Sequence, residues 1–313
     1  MVPVLLVVAG LCALFYPTVA NWLADRNHAE AVNTYDEAAA QLDAQQRQDM
    51  LNAAIQYNES LAGDPVHDPF MPGSGYAIPA NYNEVLNPDG DGVMGSIKIP
   101  KIGVDLPIYH GTDEEALAKG VGHIPSTPLP IGGDDRHSVL TGHRGLPSAE
   151  LFTRLDELGE GDIVLVNVLG DTHAYKVYAT EVVLPDDLSS LAARPGRDLL
   201  TLVTCTPYGV NTHRLLVHCE RTDYVPEEAD AQKGTGKISI DAIARAAGAA
   251  VGSALLAGIV GSRVRRARLM ARARLADVGA DGRADGWEDG RADGWEDGRA
   301  GGQVGARNPY VRR

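Results

Sequence analysis

Cys205 closes the run Thr201-Leu202-Val203-Thr204-Cys205, and an arginine, Arg214, follows nine residues later in a second apolar run, Arg214 to Glu220. Residues 199–204 are apolar and β-branched and end at Thr206-Pro207-Tyr208-Gly209, so Cys205 is expected where a strand gives way to a loop. Two adjacent strands would bring a thiol and a guanidinium together. That pairing has a chemical use, because a thiol is mostly protonated near neutral pH and a neighbouring cation favours the nucleophilic thiolate. The chemistry on offer is attack on a carbonyl, which also needs an acid and base.

Nine histidines are available for that role. His143 is the strongest candidate, because it lies in Ser138 to Gly145, an apolar strand running into a glycine-flanked turn where a side chain projects from a sheet edge. His28 falls in a helical stalk, His110 and His123 beside turns, His137 in a polar run, and His173 at a hairpin-like Gly170-Asp171-Thr172. A zinc site built from Cys205, His213, His218 and Cys219 is disfavoured. The pairs lack a CxxC, and strand alternation puts His218 and Cys219 on opposite faces.

Three motifs in order, the TLxTC run ending at Cys205, Thr141-Gly142-His143-Arg144-Gly145 upstream and Arg214 downstream, resemble a sortase, a membrane-bound cysteine transpeptidase of Gram-positive bacteria. The resemblance covers roughly residues 68–224. It includes Gly95 to Ile102, similar to the family's first barrel strands, and Gly161-Asp162-Ile163-Val164, similar to a later one. Asp68-Pro69-Phe70 resembles the lid motif of the pilin-polymerising subgroup, class C, which is also similar in carrying a second hydrophobic segment near its C-terminus.

The resemblance implies a mechanism. Cys205 attacks the Thr-Gly bond of an LPxTG-like sorting signal and holds the product as a thioester. Arg214 meets the developing oxyanion with a fork of donors. His143 protonates the leaving amine and deprotonates the incoming one. Phe70 would cover the thiol while Asp68 pairs with Arg214. In the class C reading the acceptor is a lysine of the next pilin, so the partners are pilin subunits and the membrane. No cofactor or metal is expected. The alternative is a housekeeping sortase that anchors surface proteins to peptidoglycan. An L,D-transpeptidase or other cysteine hydrolase keeps its histidine in a different glycine-rich signature, and a non-enzymatic surface protein leaves Cys205 and Arg214 unexplained.

The elements that must position these residues read as follows. Residues 1–23 hold an apolar stretch of about the ~20 residues a membrane helix needs, and the absence of a basic flank favours an anchor over a cleaved signal. Residues 24–62 read as a helical stalk, with Leu42, Met50, Leu51, Ile55 and Leu61 spaced along one face. Residues 63–80, with Pro65, Pro69, Pro72 and Pro79, are an irregular lid loop. Residues 81–226 alternate short β-rich runs with Gly/Pro/Asp turns and two helical insertions, near 112–120 and 148–158. The expected fold class is mainly β: a closed sortase-type barrel with short helices, preceded by the stalk and flanked by two transmembrane helices.

A linker, 227–240, leads to the second expected span, 241–262. Its Ala/Gly-rich run is followed at once by Arg263, Arg265, Arg266, Arg268, Arg272 and Arg274, a cluster retained on the cytoplasmic side. The tail, 263–313, repeats Asp281 to Glu288 as Asp289 to Glu296 and is expected to be cytoplasmic and disordered. Both termini would then be inside and the catalytic domain on the extracellular face of the cell membrane. Residues 24–240 carry 15 Lys and Arg against 33 Asp and Glu, a net of −18, which excludes a nucleic-acid partner. Two cysteines in that stretch imply no disulfide framework.

Overall fold

The computed structural model describes residues 2–61, 80–234 and 263–270. The chain enters as a long helix, α1 (Val2–Gln41), and turns at Leu42 into α2 (Ala44–Ser60). Asp43 starts α2 with a capping box: its carboxylate accepts the Gln46 amide at 2.8 Å, and the Gln46 side chain accepts the Asp43 amide at 2.9 Å. These helices form the expected stalk, and they dock on the barrel through few but specific groups. Tyr35 is fully buried, donates to Met94 O at 2.8 Å and accepts from Leu169 N at 3.0 Å. Tyr57 donates to Pro125 O at 2.6 Å, while Asn58 bonds both the carbonyl and the amide of Leu129. Burial of Ala39, Ala54 and Leu61 beside them joins the stalk to the main core.

Eight strands follow: β1 (Val93–Ile99), β2 (Val104–His110), β3 (Val121–His123), β4 (Arg136–Thr141), β5 (Ile163–Val168), β6 (Asp171–Val183), β7 (Asp198–Thr206) and β8 (His213–Thr222). They close a barrel in the order β1-β2-β3-β4-β7-β8-β6-β5, with β5 returning to β1. The β2/β3 and β4/β7 pairs are parallel, and the others are antiparallel. Closure leaves no open sheet edge. The β5–β6 connection is a two-residue turn with Leu169 and Gly170 both at positive φ, 48° and 86°, the geometry that matches strand twist.

Alternation then divides side chains between two faces. Leu200, Leu202, Leu215, Val217 and Cys219 fill the interior with Ile97, Val166 and Tyr175. Thr201, Val203, Cys205, Arg214, Leu216 and His218 therefore face outward. Outside does not mean exposed, because the β6–β7 connection, residues 184–197, folds back over this wall. Its Leu188 and Leu191 pack against Ile124, Val139, Val203 and Leu216.

Several expectations are corrected. The insertion near 112–120 is a helix, α3 (Glu114–Lys119), capped by Asp113, but 148–158 forms only a 3-10 turn at Leu155–Glu157. Leu151 adopts φ 41°, a left-handed conformation that cannot continue a helix. The linker begins as α4 (Pro226–Ala231), whose Ala229 packs on Ile163, Leu165 and Ala174. In the tail, residues 263–270 are helical rather than disordered. Among the described residues no helix is long and apolar enough to cross a membrane. The side chains of residues 2–9, 11 and 14, the whole of 241–262, the lid residues Asp68, Pro69 and Phe70, and the octad repeat lie outside the described residues.

Candidate active site

The thiol and the guanidinium meet by register. In the antiparallel β7/β8 ladder Cys205 pairs directly with Arg214, one step before the strands part into the Pro207–Thr212 loop. Directly paired residues project on the same face with Cβ atoms about 5 Å apart. Both side chains are buried, at 8% and 5% exposure, so charge on either is felt across little solvent. The Arg214 guanidinium lies over its own loop, donating weakly to Asn211 O at 3.4 Å and His213 O at 3.3 Å.

The histidine arrives from the other side. Because β4 and β7 run parallel, their C-terminal ends share one rim of the barrel. Thr141 pairs with Val203, and the backbone bond from Gly142 N to Val203 O at 3.1 Å carries the register beyond the strand. Two residues on from each partner stand His143 and Cys205, His143 just past the end of β4. His143 is half-buried, and burial holds its pKa below the ordinary histidine value, opposed by the negative charge of Glu114. Register thus pairs Cys205 with Arg214 and sets His143 two residues past the end of β4, at the same rim.

Sequence reasoning missed the groups that hold this arrangement. Thr204 donates to Gly142 O at 2.7 Å, and Thr141 donates to Val203 O at 3.3 Å, so threonines stitch the two strand ends together. Arg144, beside His143, donates to Thr206 Oγ1 at 3.0 Å, beside Cys205, and pairs with Asp156 at 2.6 Å. One side chain therefore ties the histidine loop to the strand that carries the thiol. Gly142 is required by space: a Cβ there would sit 2.8 Å from the Phe152 ring. Arg144 and the threonines lie inside the quoted motifs, but nothing in their spacing says which way they point.

Other histidines have other work. His110 is buried between Gly92 O and Val85 O, and His123 between Tyr82 and Pro128 O. Cys219 sits on the core face opposite Leu200, where burial pushes its thiol well up, whereas His218 points outward. The four residues of the rejected zinc set are thus split between two faces of the barrel.

A family model described as Sortase domain matches residues 97–222. Sortase D of Bacillus subtilis (strain 168) is 34% identical over 123 residues, which is 39% of this chain and 59% of that protein. The chain spans between half and two thirds of the length of the curated relatives it matches. Among solved structures, sortase C-1 from Actinomyces oris is 48% identical and superposes with a TM-score of 0.52, covering 56% of this chain and 98% of the other. Streptococcus pneumoniae sortase C, a structure described for catalysis and pilin substrate specificity, is 37% identical with a TM-score of 0.57, covering 62% and 97%.

Proposed function

The chain belongs to the sortase family, and we propose that it is a pilin-polymerising cysteine transpeptidase whose catalytic residues are Cys205, His143 and Arg214. The observation that carries the proposal is the pairing of Cys205 with Arg214 on the outward face, at the rim where His143 leaves the parallel β4. In this reading a peptide that reaches the rim lays its scissile carbonyl over the thiol.

In the first half-reaction Cys205 Sγ, as thiolate, attacks the carbonyl carbon of the Thr-Gly bond in an LPxTG-like signal. The Arg214 guanidinium donates to the oxygen that becomes negative. As the C–N bond breaks, protonated His143 gives its proton to the leaving nitrogen, and the threonine acyl group remains on Cys205 as a thioester. In the second half-reaction a lysine amine of the next pilin attacks the thioester. Neutral His143 takes the amine proton, the C–S bond breaks, and the thiolate is restored with an isopeptide bond formed. Burial favours neutral His143, the form that the second step needs.

The likeness to sortase C structures supports the pilin reading over anchoring to peptidoglycan, as does Asp68-Pro69-Phe70 in the sequence. In this reading Phe70 covers Cys205 and Asp68 pairs with Arg214 until a substrate arrives. The apolar segments at 4–23 and 246–262, with the arginines after 262, support a membrane-held enzyme with its barrel outside the cell and its tail inside. The acidic barrel then faces its protein substrates. The direct test is to incubate the purified chain with a pilin that carries an LPxTG-like signal. A ladder of covalent polymers is expected, and transfer only to a peptidoglycan-like amine would replace the pilin reading with the housekeeping one.

A further inference from the structure

Below the catalytic rim, the same outward wall carries a continuous chain of polar side chains that the mechanism does not use. His137 on β4 meets Thr201 on β7 at 2.7 Å between Nε2 and Oγ1, and Thr201 Oγ1 meets His218 Nδ1 on β8 at 2.8 Å. His218 Nε2 then meets Glu181 Oε1 on β6 at 3.0 Å. At the other end His137 Nδ1 reaches Ala192 O at 3.1 Å, in the 184–197 segment. His137, Thr201 and His218 are 2%, 0% and 5% exposed. Four adjacent strands and the segment that roofs them are thus linked by one row of hydrogen bonds.

Donor bookkeeping orders this row. A carbonyl only accepts, so His137 Nδ1 donates to Ala192 O, and an ionised carboxylate only accepts, so His218 Nε2 donates to Glu181. Thr201 Oγ1 then bridges the two facing ring nitrogens, His137 Nε2 and His218 Nδ1. The other groups facing His218 are the Tyr178 ring, stacked at 5.9 Å, and beyond that Arg197, 4.8 Å above Tyr178 and paired with Glu220.

We propose that the His137–Thr201–His218–Glu181 chain is a positioning device that fastens the 184–197 segment and thereby sets the apolar floor beside the catalytic pair. Ala192 follows Leu191, which with Leu188 packs on Val139, Val203 and Leu216. Val203 is two residues before Cys205, and Leu216 two after Arg214, so they share the catalytic face. Fixing Ala192 O fixes Leu191, and Leu191 bounds the floor on which a peptide bound over Cys205 would rest. The kinetic consequence rests on the transpeptidase reading, while the fastening itself does not.

The test uses the full chain and two kinds of readout. In nitrogen-15 spectra of the histidine rings, His137 Nδ1 and His218 Nε2 are expected to carry protons, toward Ala192 O and Glu181. A His137 ring protonated at Nε2 alone, or a His218 ring protonated at Nδ1 alone, overturns the proposal. Thr201→Val removes both central bonds at nearly constant volume, and amide exchange across 184–197 should accelerate about ten-fold, with Glu181→Gln close to the unsubstituted chain. Unchanged exchange in a folded Thr201→Val overturns the fastening. For a sorting-signal peptide, KM should rise about ten-fold in Thr201→Val, with kcat and Cys205 alkylation little changed. Faster exchange with unaltered KM refutes the link to the floor. Absence of any cleavage by the unsubstituted chain counts against the transpeptidase reading and leaves the spectra and exchange to decide this one.

Discussion

Replacing Arg144 by Met should cost far more in activity than in stability, and the structure says why. Arg144 makes two contacts through its terminal nitrogens, to Thr206 Oγ1 at 3.0 Å and to Asp156 at 2.6 Å. The first is a hydrogen bond from a charged donor, worth about 1.5–3 kcal/mol. The second involves a carboxylate at 50% exposure and is worth roughly 0.5 kcal/mol. Against these, Arg144 Nε is buried without a hydrogen-bond partner among the described residues, and removing that donor returns about 1–3 kcal/mol. The net change in stability is then within about 1–2 kcal/mol, a shift of only a few degrees in Tm. Activity is another matter, because the lost contact joins the neighbours of His143 and Cys205, and a misplacement of about 1 Å costs up to about 100-fold. We expect kcat for peptide cleavage to fall about 10- to 100-fold with KM changed by less than about two-fold. Thr206→Val removes the same bond from the other side. The double variant should be scarcely worse than Arg144→Met, giving a coupling energy of about 1–2 kcal/mol. Additive losses, or unchanged kcat in both single variants, would refute the staple.

Arg214→Lys keeps the charge but not the planar fork, so cleavage should slow by about ten-fold or more at constant KM; equal rates would reduce Arg214 to an electrostatic neighbour. Stability should fall as pH drops. His123, His137 and His173 are held neutral to about 3, 4 and 4, chiefly by burial, while the unfolded chain takes up protons below about 6.5. The stability they confer is complete above about 6.5 and is lost as pH falls toward 4, so urea midpoints should decline between pH 6.5 and 5, where few carboxylates titrate. A flat profile over that range would contradict the buried, neutral assignment. If Phe70 covers the thiol and Asp68 holds it there, Asp68→Ala and Phe70→Ala should each speed alkylation of Cys205 and raise hydrolysis relative to polymerisation. Labelling at the original rate in both would remove the lid.

The pairing of Cys205 with Arg214 was readable in the sequence because its signal is local. A β-branched run ended by Pro and Gly places a cysteine at a strand end, and an arginine at the start of the next strand must meet it if the two form a hairpin. The barrel was readable from short β-rich runs punctuated by turns, and the stalk from apolar spacing. His143 needed more, because its approach depends on β4 lying parallel to β7 across a connection that contains two other strands. No periodicity reports such a neighbour. The same holds for Arg144, whose partners Thr206 and Asp156 are distant in sequence or stand on an irregular turn. The polar row from His137 to Glu181 joins four strands, each contributing one unremarkable residue, and only the register of three ladders aligns them. The failed helix at 148–158 has a simpler cause, a left-handed Leu151 that propensity alone would not place there.

The central claim is that Cys205 carries the acyl group between two half-reactions. It is tested most directly by mass spectrometry of the chain quenched during turnover of an LPxTG-like peptide without an amine acceptor. The expected result is one adduct, the peptide cut after its threonine, on the fragment containing Cys205, labile to hydroxylamine and missing from Cys205→Ala. Peptide cleavage with no adduct at Cys205, or an adduct on Cys219 instead, would contradict the account.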